Sequence, residues 1–164
     1  MFEKPTLRYL IDNNRFILKG EGSLRFPVAP SLHQALGYLD LAPECEEVII
    51  DLTLVRDLDS TVIGNLIHYF LNDKNRLRFS SKKPIIFCNI DVRKWITTLG
   101  VEHFFDIKNE VKGIETNLEK YTIIEESIPD KNVLNEFVQS SHQTLARCAK
   151  NPDEYNLVNK VIKK

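Results

Sequence analysis

The sequence has few cysteines, no long apolar run and no excess of charge of either sign. Its three cysteines, Cys45, Cys88 and Cys148, are too few and too scattered for a disulfide framework or a zinc site, so we expect reduced thiols. No apolar run approaches the roughly 20 residues that cross a bilayer, and the N-terminus lacks the apolar core of a signal peptide. These absences predict a soluble, cytoplasmic protein without membrane insertion.

The charges are balanced along the chain. Lysine and arginine number 22 against 23 acidic residues, and the absence of a basic stripe argues against direct binding of nucleic acid. With 164 residues, of which 43% are hydrophobic, the chain is long enough to bury a core without disulfides or metals. We therefore expect one globular domain, alone or with an appendage.

Enzyme and cofactor motifs are also missing. The sequence contains no Gly-x-Gly-x-x-Gly motif and no Walker loop, and Gly20-Glu21-Gly22 lies within a predicted strand. The four histidines have no metal-ligand spacing. We therefore predict no catalytic residue, no metal and no cofactor.

Apolar periodicity and turn residues predict an α/β fold. Two apolar runs separated by Asn13-Asn14 indicate a hairpin, and strands then alternate with helices, which indicates a mixed sheet covered by helices. The cap residues proposed for the first and third helices are Ser31 and Asp91. Strands are predicted over 7–11, 15–24, 47–52, 84–90 and 104–107, and helices from Ser31 onward and over 61–75, 92–99 and 110–120.

The last third of the chain is predicted to be a helical extension. Residues 131–148 and 152–163 have apolar positions at helical spacing, so we divide the chain into a domain over 1–118, a linker over 119–130 and an extension over 131–164. The extension is expected to pack on the domain's own helices or to form a homodimer or partner contact. The apolar residues expected to be at least partly buried are Leu134, Phe137, Val138, Leu145, Leu157, Val158 and Ile162.

The polar segment before the second helix offers two interpretations. Asp57, Asp59, Ser60 and Thr61 lie between a buried strand and an amphipathic helix. The simpler interpretation is helix capping, in which Asp59 or Ser60 accepts from the free amides of the first turn. The alternative is a phosphorylation site, because α/β proteins place function at the carboxyl ends of strands and helix amides tolerate an added phosphate.

Two blocks of the sequence resemble the STAS domain, the anti-sigma factor antagonist family. Residues 48–64, VIIDLTLVRDLDSTVIG, are similar to the family's strand ending in Asp-Leu, followed by a turn and Asp-Ser-Ser/Thr-Gly-x-Gly at a helix start. Residues 88–107 are similar to its strand, its helix ending in Leu-x-Gly-Leu and its short Phe-rich strand. The resemblance covers residues 7 to about 118 and implies the STAS fold.

This resemblance also implies a function and a site. It places Ser60 at the serine that a partner kinase phosphorylates, with Thr61 as the second choice, and Val62 at the position of the first motif glycine. The implied partners are an anti-sigma factor that is also a serine kinase, bound when the antagonist is unphosphorylated, and a PP2C-type phosphatase that resets it. The residues expected to contact the partner are Asp57, Asp59, Ser60, Thr61 and Gly64.

Two other functions remain as alternatives. Some STAS-like proteins are accessory subunits of lipid-transport ABC systems, in which the domain binds the ATPase without phosphorylation. A doubly wound enzyme would require a ligand-binding loop, and the sequence shows none. Indifference to substitution of Ser60 would distinguish the ABC subunit from the antagonist.

Overall fold

The fold is α/β, with a mixed six-stranded sheet in the order β5-β4-β3-β2-β1-β6. The structure is a computed structural model that describes residues 4–126 and 130–148. β1 pairs antiparallel with β2 and β6, and β2 to β5 run parallel to one another. The predicted α/β class and mixed sheet are thus confirmed. The strands are β1 Thr6–Asp12, β2 Arg15–Leu24, β3 Glu47–Leu58, β4 Ile85–Cys88, β5 Asp106–Lys108 and β6 Thr122–Ile123.

The predicted hairpin is confirmed. Asn13 and Asn14 form the two-residue turn between β1 and β2, and Asn13 takes the left-handed φ of 49°. Asparagine tolerates this conformation better than other non-glycine residues, which is why Asn-rich pairs favour such turns. The hairpin therefore follows from local sequence alone.

β3 is longer than predicted, since it continues past residue 52 to Leu58. β2 runs beside it throughout, with register shifts between Lys19 and Glu21 and between Gly22 and Ser23. Bulges of this kind let two strands stay paired while the local twist increases. The polar segment after residue 52 is thus strand, and Asp57 is carried on the sheet rather than on a turn.

Five α-helices occur in the described residues, and several of their bounds differ from the prediction. The single helix expected over 61–75 is wrong, because Asn72 is extended and its side chain accepts from the Asn75 amide to begin a new helix. The helix expected over 110–120 is also wrong, since that range contains only a 3₁₀ turn over Leu118–Lys120. The helices are α1 Ala29–Asp40, α2 Ser60–Leu71, α3 Asp73–Arg78, α4 Ile90–Thr98 and α5 Lys131–Cys148.

The expected cap residues of α1 and α4 lie inside their helices instead. α1 follows a 3₁₀ turn and begins two residues before Ser31; Pro30 at its second position has no amide that needs an acceptor. α4 is capped by Asn89, whose side chain accepts from the Val92 amide, so Asp91 lies in the first turn. In each case the helix begins before the expected cap residue, which therefore lies in the first turn.

The α-helices of the described residues lie on one face of the sheet. The main core cluster joins residues of α1, α2, α4 and α5 to one face of β2, β3 and β4. Ile17, Ile49 and Phe87 point to the other face, which is covered by Ile114 and Tyr121 from the irregular segment after β5. The central strands are buried on both faces, as expected. The second face, however, is covered by an irregular segment and not by an α-helix.

The C-terminal part of the described chain belongs to the same packed unit. Within 119–130, where a linker was predicted, β6 pairs with β1 and Ile124 is buried in the main cluster. α5 matches the helix predicted over 131–148, and Leu145 is fully buried. Leu134, Phe137 and Val138 are half-buried, as expected. The helix predicted over 152–163, with Leu157, Val158 and Ile162, lies outside the described residues.

Over residues 4–126 and 130–148, no helix has both the length and the apolarity needed to cross a membrane.

Candidate functional site

Ser60 is the first residue of α2, directly beyond the carboxyl end of the central strand β3. Asp59 precedes it as the helix cap, and the carboxylate of Asp59 accepts from the Val62 amide at 3.1 Å and from the Phe26 amide. Burial raises the pKa of Asp59, and the hydrogen bonds from Val62 and Phe26 oppose that rise. The predicted capping role is therefore filled by Asp59, which leaves the Ser60 hydroxyl available for another contact.

Asp57 is held at the end of β3 by two residues of the neighbouring strand region. The Ser23 hydroxyl donates to one carboxylate oxygen at 2.7 Å, and the Arg25 Nε donates to the other at 2.9 Å. Asp57 lies within hydrogen-bonding distance of both because β2 follows β3 to its end. Its orientation is therefore set by the sheet.

An open groove of about 570 Å³ runs past the start of α2. Ser60 lines the groove, and Trp95 and Leu99 of α4 form part of its wall. Acidic and basic side chains both line it, so the groove combines an apolar patch with charges of both signs. Its charged residues are Arg25, Arg56, Asp57, Asp59 and Asp91.

Of the two hydroxyl residues at the start of α2, only Ser60 is partly exposed. Thr61 is 3% exposed, whereas Ser60 is half-buried. Val62 is buried in the main core cluster, so its bulk packs into the core instead of standing beside the Ser60 hydroxyl. Val62, which stands where the resemblance places the first motif glycine, therefore leaves the exposed side of Ser60 unobstructed.

Gly64 lies against the backbone of α5. A Cβ added at Gly64 would be 2.6 Å from the Ser141 Cβ and 2.7 Å from the Ser141 carbonyl oxygen. Real Cβ atoms do not approach other atoms this closely, so any larger residue would push α5 away from α2. This glycine is thus needed for the close crossing of α2 and α5.

α5 also contacts Ser60 itself, through His142. The Ser60 Oγ and the His142 Nε2 lie 3.0 Å apart, and about two turns further along α2 the His68 Nδ1 lies 3.1 Å from the Thr144 Oγ1. The sequence analysis missed His142, because it lies 82 residues from Ser60 and outside the region of resemblance.

Among the described residues, no carboxylate completes a hydrolytic triad with Ser60 and His142. The His142 Nδ1 is buried and has no hydrogen-bond partner in the described structure, whereas in a triad a carboxylate orients that nitrogen. The Asp59 carboxylate also caps the helix end where an oxyanion would need amide donors. Among the described residues, no group of three histidine, cysteine or acidic side chains is placed to hold a metal ion.

His142 is expected to make stability depend on pH. Burial lowers the pKa of His142 from its ordinary value of 6.5, so the unfolded chain takes up this proton at a higher pH than the folded protein. Stability contributed by neutral His142 is therefore present above pH 6.5 and is lost as the pH falls below it. A single group can account for at most about 1.4 kcal/mol per pH unit.

The measurement is urea unfolding at about pH 7.5 and 5.5, compared between wild type and His142→Gln. The variant should lose less stability on acidification than wild type, because glutamine does not titrate. The other ionisable side chains that face this part of α5, His68 and Asp59 of α2 and His33 of α1, are present in both proteins, so the comparison isolates the change at His142. Asp59 also acts in the opposite direction, since its folded pKa is raised from 3.8. Equal pH dependence in both proteins would contradict the role given to His142.

The predicted site residues fall into two groups. Asp57, Asp59 and Ser60 line the open groove, whereas Thr61 and Gly64 are buried. Ser60 lines the groove and also contacts α5 through its hydroxyl.

In comparisons with known proteins, no protein-family model matches this chain and the curated proteins contain no match.

Proposed function

We propose that this protein is a STAS-type anti-sigma factor antagonist that acts by partner switching through Ser60. The observation that carries the proposal is the position of Ser60, a half-buried hydroxyl at the start of α2, on an open groove beside two acidic side chains. In this proposal the unphosphorylated protein binds an anti-sigma factor that is also a serine kinase. Phosphorylation releases it, and a PP2C-type phosphatase restores the bound form.

Charge explains how one phosphate would act as the switch. A phosphoserine adds about −1.5 to −2 charge at neutral pH, and here it would join Asp57 and Asp59 within one groove. A partner docked over the groove would remove the phosphate from water beside these two acids, whose own partners are already engaged with them. A loss of roughly 3–4 kcal/mol, a few hundredfold in affinity, is enough to release the partner.

Phosphotransfer and binding by Ser60 variants test the proposal. The probes are the serine kinases of the histidine-kinase-like ATPase fold from the source genome, each purified and supplied with radiolabelled ATP. The cognate kinase should phosphorylate wild type and leave Ser60→Ala unlabelled. Ser60→Asp should bind that kinase about a hundredfold more weakly than wild type, while Ser60→Ala keeps its affinity.

Ser81→Asp is the matched control for added charge. Ser81 is exposed and precedes β4, at the opposite edge of the sheet from Ser60, so this variant should bind normally. Thermal melts must accompany the binding data, because substitution at a helix start costs up to about 1 kcal/mol. If Ser60→Asp binds as tightly as wild type, the switch is wrong, and co-purification with an ABC ATPase would instead support the accessory-subunit alternative.

A further inference from the structure

α5 lies on the part of α2 that a switching partner would need. Its Ser141 backbone packs directly on Gly64, and its His142 contacts the Ser60 hydroxyl. Both Ser60 and Gly64 belong to the segment that resembles the partner-binding motif. While α5 is docked, no other protein can reach Gly64, because a single added carbon there already collides with Ser141.

The contact between α2 and α5 is polar for a buried interface. The buried residues of α5 are Ser141, His142, Thr144 and Leu145, of which only the last is apolar. Interfaces between parts of a protein that come apart during its function are more polar than permanent interfaces. The unpartnered Nδ1 of His142 adds a cost to docking, since that atom regains water when α5 leaves.

We propose that α5 is an intramolecular cover for the α2 face, and that docking of α5 and phosphorylation of Ser60 oppose each other. The proposal rests on the switching function proposed above and assigns its regulation to this chain's own helix. A partner gains access to Gly64 only when α5 leaves, and α5 returns only after the partner has dissociated and the phosphatase has removed the phosphate from Ser60.

Phosphorylation of Ser60 would oppose docking of α5 because it changes the Ser60 hydroxyl that His142 contacts. In phosphotransfer, the Oγ forms a bond to the γ-phosphorus of ATP, the bond from that phosphorus to the bridging oxygen of ADP breaks, and the hydroxyl proton passes to a base of the kinase or to water. The phosphorylated oxygen has no proton and cannot donate to His142, and the 3.0 Å between Oγ and Nε2 leaves no room for the phosphate group. Its charge would also be removed from water beneath α5, next to the Asp59 carboxylate that caps the helix.

The test is hydrogen–deuterium exchange on the full chain with phosphoserine genetically encoded at position 60. Amides of α5 should exchange at least tenfold faster than in wild type, while amides of β3 and β4 keep their protection. Phosphoserine encoded at exposed position 81 is the matched control and should leave exchange in α5 unchanged. Gly64→Ala supplies the reference for a released helix, because its Cβ pushes α5 off by contact alone.

Each outcome bears on the proposal. Unchanged or slower exchange in α5 with phosphoserine at position 60 overturns it, provided that Gly64→Ala shows fast exchange. If Gly64→Ala fails to fold, His142→Ala serves as the second reference, since it removes the contact to Ser60 without a steric clash. Loss of protection in β3 together with α5 also overturns it, because α5 would then be an integral part of the core.

The proposed function and this inference fail separately. If phosphoserine leaves α5 docked while Ser60→Asp still releases the kinase, the switch stands and the cover is wrong. If phosphoserine frees α5 but no kinase responds to Ser60, the cover stands and the switching function is wrong.

Discussion

Replacing Asp51 by alanine is expected to destabilise the protein by about 3–5 kcal/mol, the usual cost of leaving one member of a buried ion pair alone. Asp51 is 1% exposed, and its carboxylate lies 3.2 Å from the Lys19 Nζ on the neighbouring strand β2. Its other oxygen accepts from the Thr53 amide and hydroxyl at 3.0 and 2.6 Å. The substitution therefore leaves a buried ammonium group without its counter-charge and two donors without an acceptor.

Urea unfolding with two controls measures this effect. Asp106→Ala removes an acid of the same type from an exposed pair with Lys108 and should change stability by less than about 1 kcal/mol. The double variant Lys19→Met with Asp51→Leu removes both charges and should recover most of the loss. A loss below about 1 kcal/mol for Asp51→Ala would show that water reaches Lys19 and that the pair is not buried in solution.

Placing a charge at Leu145 is expected to release α5 and leave the sheet folded. Leu145 is fully buried in the main core cluster, and an unpaired carboxylate there would cost several kcal/mol. The protein can avoid this cost by undocking α5, since the other buried residues of that helix are polar. The measured loss for Leu145→Asp is then limited to the docking free energy of α5, which we expect to be about 2–4 kcal/mol.

Val133→Asp is the matched control on the same helix, because Val133 is exposed and should tolerate the charge. Circular dichroism should show that Leu145→Asp keeps its strands, and hydrogen exchange should show loss of protection in α5 alone. Global unfolding of Leu145→Asp would contradict the expectation. It would also move the domain boundary predicted near residue 118 to a position beyond α5.

The sequence predicted element types best where the signal is local. The Asn13-Asn14 turn and the apolar run that begins β3 each depend on neighbours within a few residues, and both elements are present in the structure. The long extent of β3 was missed because its last residues are polar and stay in the sheet only through pairing with β2. The break between α2 and α3 was missed because one asparagine side chain, that of Asn72, decides it.

The amino-acid sequence by itself determined the alternation of strands and helices, the helical character of residues 131–148 and the position of Ser60 at a helix start. Tertiary structure alone decided that His142 meets Ser60 and that Gly64 lies beneath Ser141. The physical reason is that helix formation depends on periodicity within one segment, whereas these contacts depend on where α5 crosses α2. The position of that crossing depends on how closely the two helix backbones can approach each other. The residue pattern within either helix alone does not predict this.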